Sequence, residues 1–102
     1  MSKYGAVKTE VDGYIFDSKK EAARYGELKA AEMAGEIESL VLQPVFPIIM
    51  NGKKVAKYIA DFSYYDGDAK IIEDVKGFKT AVYKLKKKLV EAQYNITITE
   101  VT

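Results

Sequence analysis

Neither cysteine nor histidine occurs in the 102-residue chain. Their absence excludes a disulfide framework, a thiolate or imidazole zinc site, a cysteine or Ser-His nucleophile system and a histidine general base. Chemistry is left to carboxylates, lysines, tyrosines and hard cations. The lack of cysteine also fits a reducing cytosol. No apolar run approaches the length needed to cross a bilayer, and no charged-then-apolar leader opens "MSKYGAVKTE", so the expectation is a soluble cytoplasmic protein with no membrane partner. Proline is scarce, with Pro44 and Pro47 alone, and no repeat or low-complexity segment appears.

An excess of one charge sign is missing as well: 16 Lys+Arg stand against 15 Asp+Glu, a formal net charge of +1. The balance hides a split. From Lys76 to Val90 there are six lysines (76, 79, 84, 86, 87, 88) and no acid, which makes that segment +6 and the remainder −5. A basic surface facing an anionic partner is the natural consequence. The length allows one small two-layer domain and no second one.

Residues 1–8 are polar and read as a flexible N-terminal arm, leaving 9–102 as the single domain. "YIFDS" is a short apolar stretch followed by a helix start, because Ser18 with Glu21 three residues later matches a capping box. The helix is expected over Lys19 to Ala34, with Gly35 as its stop. "IESLVLQPVFPIIM" has the Val/Ile/Leu content of a strand and prolines that suit an edge. "NGKK" and "DGDAK" are turn signals. In "VAKYIADFSYYD" alternation puts Tyr58, Ala60, Phe62 and Tyr64 on one side and Ile59, Asp61, Ser63 and Tyr65 on the other. The third strand, Ile71 to Lys76, places Ile72, Asp74 and Lys76 opposite to Ile71, Glu73 and Val75. Thr80 caps a second helix to about Ala92, expected to dock through Ala81, Val82, Leu85, Leu89 and Ala92. "NITITEV" closes the chain as a strand. The order α-β-β-β-α-β indicates an α/β fold with a mixed sheet flanked by helices.

Charged residues inside these strands carry the chemistry. A hairpin register that sets Asp61 beside Asp74 brings two carboxylates together next to Lys76, the donor set of a hard-cation site. Mg2+ keeps several waters and bridges to phosphate, so one or two protein carboxylates suffice; Mn2+ is the expected substitute. Lys76 would then orient or deprotonate the attacking water, or offset transition-state charge. The plainer reading is a solvated sheet face with a cross-turn ion pair. Glu73 is the rival carboxylate if a β-bulge re-aims the strand. Gln43, before Pro44, is a further candidate beside the site. Glu21 has two roles open to it, capping-box member and additional acid, because its stripe with Tyr25 and Leu28 faces the sheet; Glu27 falls on another face. Lys79, Lys84, Lys87 and Lys88, with the amides near Thr80, are candidates for gripping phosphates, against the plainer reading of a solvated helix face.

Asp61 followed by Asp74-Val75-Lys76 on the next strand resembles the D…(D/E)-x-K signature of the PD-(D/E)XK nuclease superfamily, and Glu21 resembles its additional helix-borne acid. The segments "VDGYIFDSKKEAARYGELKAAEMAGEIESLVLQPVF", "YIADFSYYD" and "EDVKGFKTAVYKLKKKL" resemble a small phage-encoded, nuclease-like family of uncharacterised function over nearly the whole chain. Ala60 stands where the superfamily name has Pro. The resemblance implies a restriction-endonuclease-like core and a Mg2+-dependent DNA endonuclease akin to the phage endonuclease I and Holliday junction resolvase types. It further implies Glu21, Asp61 and Asp74 as metal ligands with Lys76 as the fourth catalytic residue, and a bacterial host cell as the setting. Because so small a domain covers little duplex, a homodimer is expected. The alternatives are a nucleic-acid-binding module without turnover and a phage accessory protein whose basic helix meets an acidic protein.

Overall fold

The computed structural model describes residues 8–102. Ten elements follow one another: β1 (Thr9–Val11), β2 (Tyr14–Phe16), α1 (Lys19–Met33), β3 (Glu38–Leu42), β4 (Val45–Met50), β5 (Lys53–Ile59), β6 (Phe62–Asp66), β7 (Ala69–Val75), α2 (Ala81–Tyr94) and β8 (Ile98–Val101). The expected N-terminal arm falls on residues 1–7, outside the described residues, apart from Lys8, whose ammonium meets Asp17 at 3.4 Å.

The main sheet has the order β3-β6-β7-β8, antiparallel except for the β7/β8 pair, which is parallel. Helix α2 makes the crossover that a parallel pair needs. The expected mixed α/β sheet flanked by helices is therefore what the chain forms, with β3, the part of the expected edge stretch that precedes its prolines, at one edge. One side of the sheet packs Phe62, Tyr64, Ile71 and Val75 against Ala22, Tyr25 and Leu28 of α1. The other side packs Ile72, Ile98 and Ala60 against Tyr83 and Val90 of α2.

Two stretches read as single strands are each interrupted. Pro44 has no N–H to give a ladder, and Gln43 before it takes a left-handed φ of 53°, so β3 and β4 are separate. Opposite, β5 and β6 part at Ala60–Asp61. The ribbon stays joined across the break: Gln43 N–H donates to the Asp61 carbonyl at 3.0 Å and Ala60 N–H to that of Pro44 at 3.1 Å. What forms is one long bent hairpin whose distal half, β4–β5, packs on α2 and turns at Asn51-Gly52, both at positive φ (50° and 75°) as a two-residue hairpin loop prefers.

Regular alternation does not survive that bend. Asp61 N–H donates to the Glu73 carbonyl, while Phe62 is Glu73's ladder partner, so two residues oppose one as in a β-bulge. Tyr58 and Ala60 consequently face α2, but Phe62 and Tyr64 face α1, where the sequence pattern set all four on one side.

Helix α1 begins as expected, with Ser18 Oγ accepting from Glu21 N–H at 3.1 Å. Thr80 Oγ1 likewise accepts from Tyr83 N–H at 3.0 Å. The buried face of α2 differs from expectation: Tyr83 and Val90 go inward, whereas Val82 and Leu85 are 62% and 59% exposed. Tyrosine offers more area to bury and its hydroxyl finds Glu100 at 2.7 Å, so the helix rotates to bury it. An additional hairpin, β1–β2, turns at Asp12-Gly13 and is held to α1 by Tyr25 Oη donating to Asp12 at 2.9 Å. The Asp-Gly pair in "VDGY" is the sequence signal for it.

Candidate active site

The end of strand β7 and the residue just after it carry three charges in four positions, Glu73, Asp74 and Lys76, and each meets a different fate. Glu73 points to α1, where Arg24 grips it with a two-pronged contact, Nε to Oε1 at 2.8 Å and a terminal nitrogen to Oε2 at 2.7 Å. Tyr64 Oη donates to the same carboxylate. Burial alone would raise the Glu73 pKa, but the guanidinium and the phenol outweigh it and hold it below the usual carboxylate range. Glu73 is thus a satisfied structural ion, and the bulge on β6 leaves its direction, opposite to Lys76, unchanged.

Asp74 has no such partners. It is 0% exposed, and among the described residues neither carboxylate oxygen receives a hydrogen bond of good geometry, although the Asp61 amide and the Lys76 ammonium lie near enough to favour its charged form. Lys76 Nζ comes to 3.6 Å of Oδ1, an ion pair beyond hydrogen-bonding distance, and rests 4.5 Å from the Tyr83 ring centroid. Burial pushes the Asp74 carboxyl up to about 6, with the Lys76 charge opposing. Desolvating a carboxylate without hydrogen bonds is costly, so this position calls for positive charge or a proton.

The bulge turns Asp61 toward α1. Its Oδ2 accepts from Val75 N–H at 2.7 Å, and its carboxyl group lies within hydrogen-bonding reach of that of Glu21. Glu21 is buried, as its stripe with Tyr25 and Leu28 requires, and Oε1 accepts from Asp17 N–H at 3.2 Å. Burial, then the neighbouring Asp61, pushes Glu21 up to about 7. Asp61 is also raised by burial, with the Val75 amide and the Lys76 ammonium opposing. Of the two, Glu21 is the one whose proton the contact favours, since the hydrogen bond between them raises Glu21 and lowers Asp61.

The four residues accordingly form two linked pairs. Glu21 meets Asp61 on one flank, Asp74 meets Lys76 on the other, and the Lys76 charge reaches both aspartates. Among the described residues no three acidic side chains gather tightly enough to make a ready metal cage. The placement of Asp61 beside Asp74 expected from the hairpin register is thus altered: Asp61 turns to Glu21 on the α1 side, Asp74 lies on the side of β7 opposite to Glu73, and the Lys76 charge is what acts on both.

The other candidates are dispersed. Gln43 is exposed at the bend, joined to Asp61 through the main chain, and lines a groove of ≈ 390 Å³ with Tyr14, Phe16 and Leu42. Glu27 pairs with Arg24 at 2.8 Å on the helix surface. Lys79 is engaged by Glu100 at 3.0 Å and Lys87 by Glu91 at 3.1 Å, while Thr80 spends its hydroxyl on the helix cap. Lys84 and Lys88 are exposed. Sequence reasoning missed Arg24 and Glu100; the signal for the first was that it is the only arginine in the chain and lies one turn after Glu21. Among the described residues no helix is long and apolar enough to cross a membrane.

No curated protein and no solved structure matches the chain. Residues 1–101 match the family described as "Protein of unknown function (DUF1064)", and the chain belongs to that family.

Proposed function

We propose that this protein is a divalent-metal-dependent DNA endonuclease of the PD-(D/E)XK kind. The observation that carries the reading is Asp74: a fully buried carboxylate with no hydrogen bond of good geometry, two residues before the lysine that pairs with it and near the Glu21–Asp61 carboxylate pair. A strand interior has no structural use for such a group, whereas a cation site does. The order of elements around it, with α1 before an antiparallel triplet β3-β6-β7 and α2 leading to β8 parallel to β7, is consistent with a restriction-endonuclease-like core.

Asp61 and Asp74 would hold Mg2+ at the end of the strands, where the Asp74 carboxylate comes near the Asp61 amide although the two side chains leave the sheet on different sides, and Glu21 would add its carboxylate once its proton leaves. The ion would supply Lewis acidity toward a phosphate oxygen and lower the pKa of bound water. Lys76, paired with Asp74 and braced on the Tyr83 ring, would position the nucleophilic water and offset charge building on phosphorus. Glu21, with a carboxyl at about 7, is suited to exchanging a proton near neutral pH. A domain of this size would cut both strands of a duplex, or straddle a branch, as a two-fold homodimer in the cytoplasm of a bacterial host.

The test is plasmid and four-way-junction cleavage with and without Mg2+ or Mn2+, beside Asp74→Asn and Lys76→Ala. The wild-type protein is expected to nick DNA only with metal, and each variant to lose at least a hundredfold in rate. Undiminished cleavage by both variants would overturn the site. A second reading, a nucleic-acid-binding module without turnover, rests on one observation, that among the described residues no three acids gather into a ready cage. Metal-independent DNA retention with no nicking of any substrate is its signature.

A further inference from the structure

Beside the acidic centre, β5 and the start of α2 enclose a groove of ≈ 360 Å³ lined by Lys57, Ile59, Thr80, Val82, Tyr83 and Lys86, with Tyr58 in the floor. Its two lips belong to different elements, and each carries a lysine. Among the described residues neither Lys57 nor Lys86 makes an ion pair, in contrast to Lys79 and Lys87. Between them the walls are apolar and open, Ile59 being 45% and Val82 62% exposed. The Tyr58 hydroxyl, buried, has no hydrogen-bond partner among the described residues. Tyr83 is shared with the acidic centre, since Lys76 lies over its ring.

We propose that this groove binds a single-stranded segment of nucleic acid, with Lys57 and Lys86 taking phosphates from opposite lips and Ile59 and Val82 meeting the faces of unpaired bases. A positively charged groove that tracks the backbone beside surfaces for the base faces is the general solution for a strand whose bases are exposed; here Ile59 and Val82 supply apolar contact in place of the more usual aromatic platforms. A duplex hides its base faces and gives Ile59 and Val82 nothing apolar to cover. A peptide of acidic residues alone would answer the lysines and leave Ile59 and Val82 uncovered. The β4–β5 arm adds Lys53 and Lys54 beyond Lys57, so the positive potential extends along the same ribbon. The inference deepens the nuclease reading by naming an unpaired strand as the part of the substrate held next to the acids, yet binding at the groove does not require turnover.

The experiment is fluorescence anisotropy of the full chain in chelator, with an oligo-dT strand and a duplex of equal length, over a range of salt. The variants are Lys57→Glu with Lys86→Glu, and, as a charge-matched control away from the groove, Lys20→Glu with Lys70→Glu. The groove variant is expected to bind the single strand at least about tenfold more weakly and to lose roughly 0.7 in the salt slope per phosphate contact removed. The control is expected to stay within about threefold of wild type. Equal loss in both variants, equal affinity for duplex and single strand, or capture of an acidic peptide without oligo-dT binding each overturns the proposal. Lysine-dependent binding by a protein that never nicks DNA leaves the groove standing and ends the nuclease reading; nicking by a protein whose binding ignores both lysines does the reverse.

Discussion

Replacing Asp74 by asparagine isolates the free-energy cost of an ionised carboxylate in this sheet. In the folded protein the group titrates at about 6, against 3.8 for an unburied aspartate. The folded state therefore binds the proton more tightly than the unfolded one. Its stabilising effect is complete below pH 3.8 and is lost as pH rises through about 6. Each tenfold in proton affinity corresponds to ~1.4 kcal/mol, so the full swing is about 3 kcal/mol, a large part of the ~5–15 kcal/mol that holds a domain together. Asparagine carries its own penalty for a buried amide, but that penalty does not vary with pH. The informative quantity is thus the change in ΔΔG between pH 4 and pH 7.5, from urea denaturation in chelator. Asp74→Asn should gain about 2–3 kcal/mol relative to wild type across that interval. Saturating Mg2+ should restore the wild-type protein at pH 7.5, by ~2.7 kcal/mol at a hundred times its Kd, and leave the variant unmoved. Parallel pH curves for the two proteins would refute both the burial of the charge and the cation site argued from it.

Glu21→Gln should likewise flatten the decline in metal-free stability between pH 4.5 and about 7, and metal should no longer add as much; the same denaturation series reads it. Glu73→Ala takes from Arg24 its two-pronged partner, leaving it Glu27, and strands the Tyr64 hydroxyl; it is expected to cost about 3 kcal/mol, visible as a drop in Tm, whereas replacing Arg24 and Glu73 together by apolar residues should cost less than Glu73→Ala alone. Thr80→Ala removes the α2 cap and should lower stability by ~1 kcal/mol in urea denaturation. Gly52→Ala, at φ 75°, should cost ~1 kcal/mol, and Gly77→Ala, with open space and no left-handed φ, should not.

Local signals carried far along this chain because they act between near neighbours. Ser18 and Thr80 name the helix starts through a hydroxyl that reaches an amide three residues on, and Asn51-Gly52 names its turn through left-handed backbone. Alternation along β7 was readable for the same reason: its period is set by the pleat, and Ile72, Asp74 and Lys76 do oppose Ile71, Glu73 and Val75. Cysteine and histidine counts restricted the chemistry before any folding was considered. The stripe Glu21-Tyr25-Leu28 announced a buried acid.

Elsewhere the outcome rested on partners distant in sequence. Whether Asp61 faces α1 or α2 depends on a bulge against Glu73 and on Pro44 across the ribbon, neither of which leaves a mark in the alternation of "YIADFSYYD". Which of Glu73 and Asp74 is neutralised depends on Arg24, 49 residues before Glu73, and only chain crossing brings them together. The rotation of α2 followed Tyr83 and Glu100 rather than the count of aliphatic positions. Composition and short-range pattern thus determined the element types, the available chemistry and the acids at issue. Only tertiary packing decided which acid is satisfied and which is left buried and bare, because desolvation and pairing are properties of three-dimensional surroundings and not of sequence neighbours.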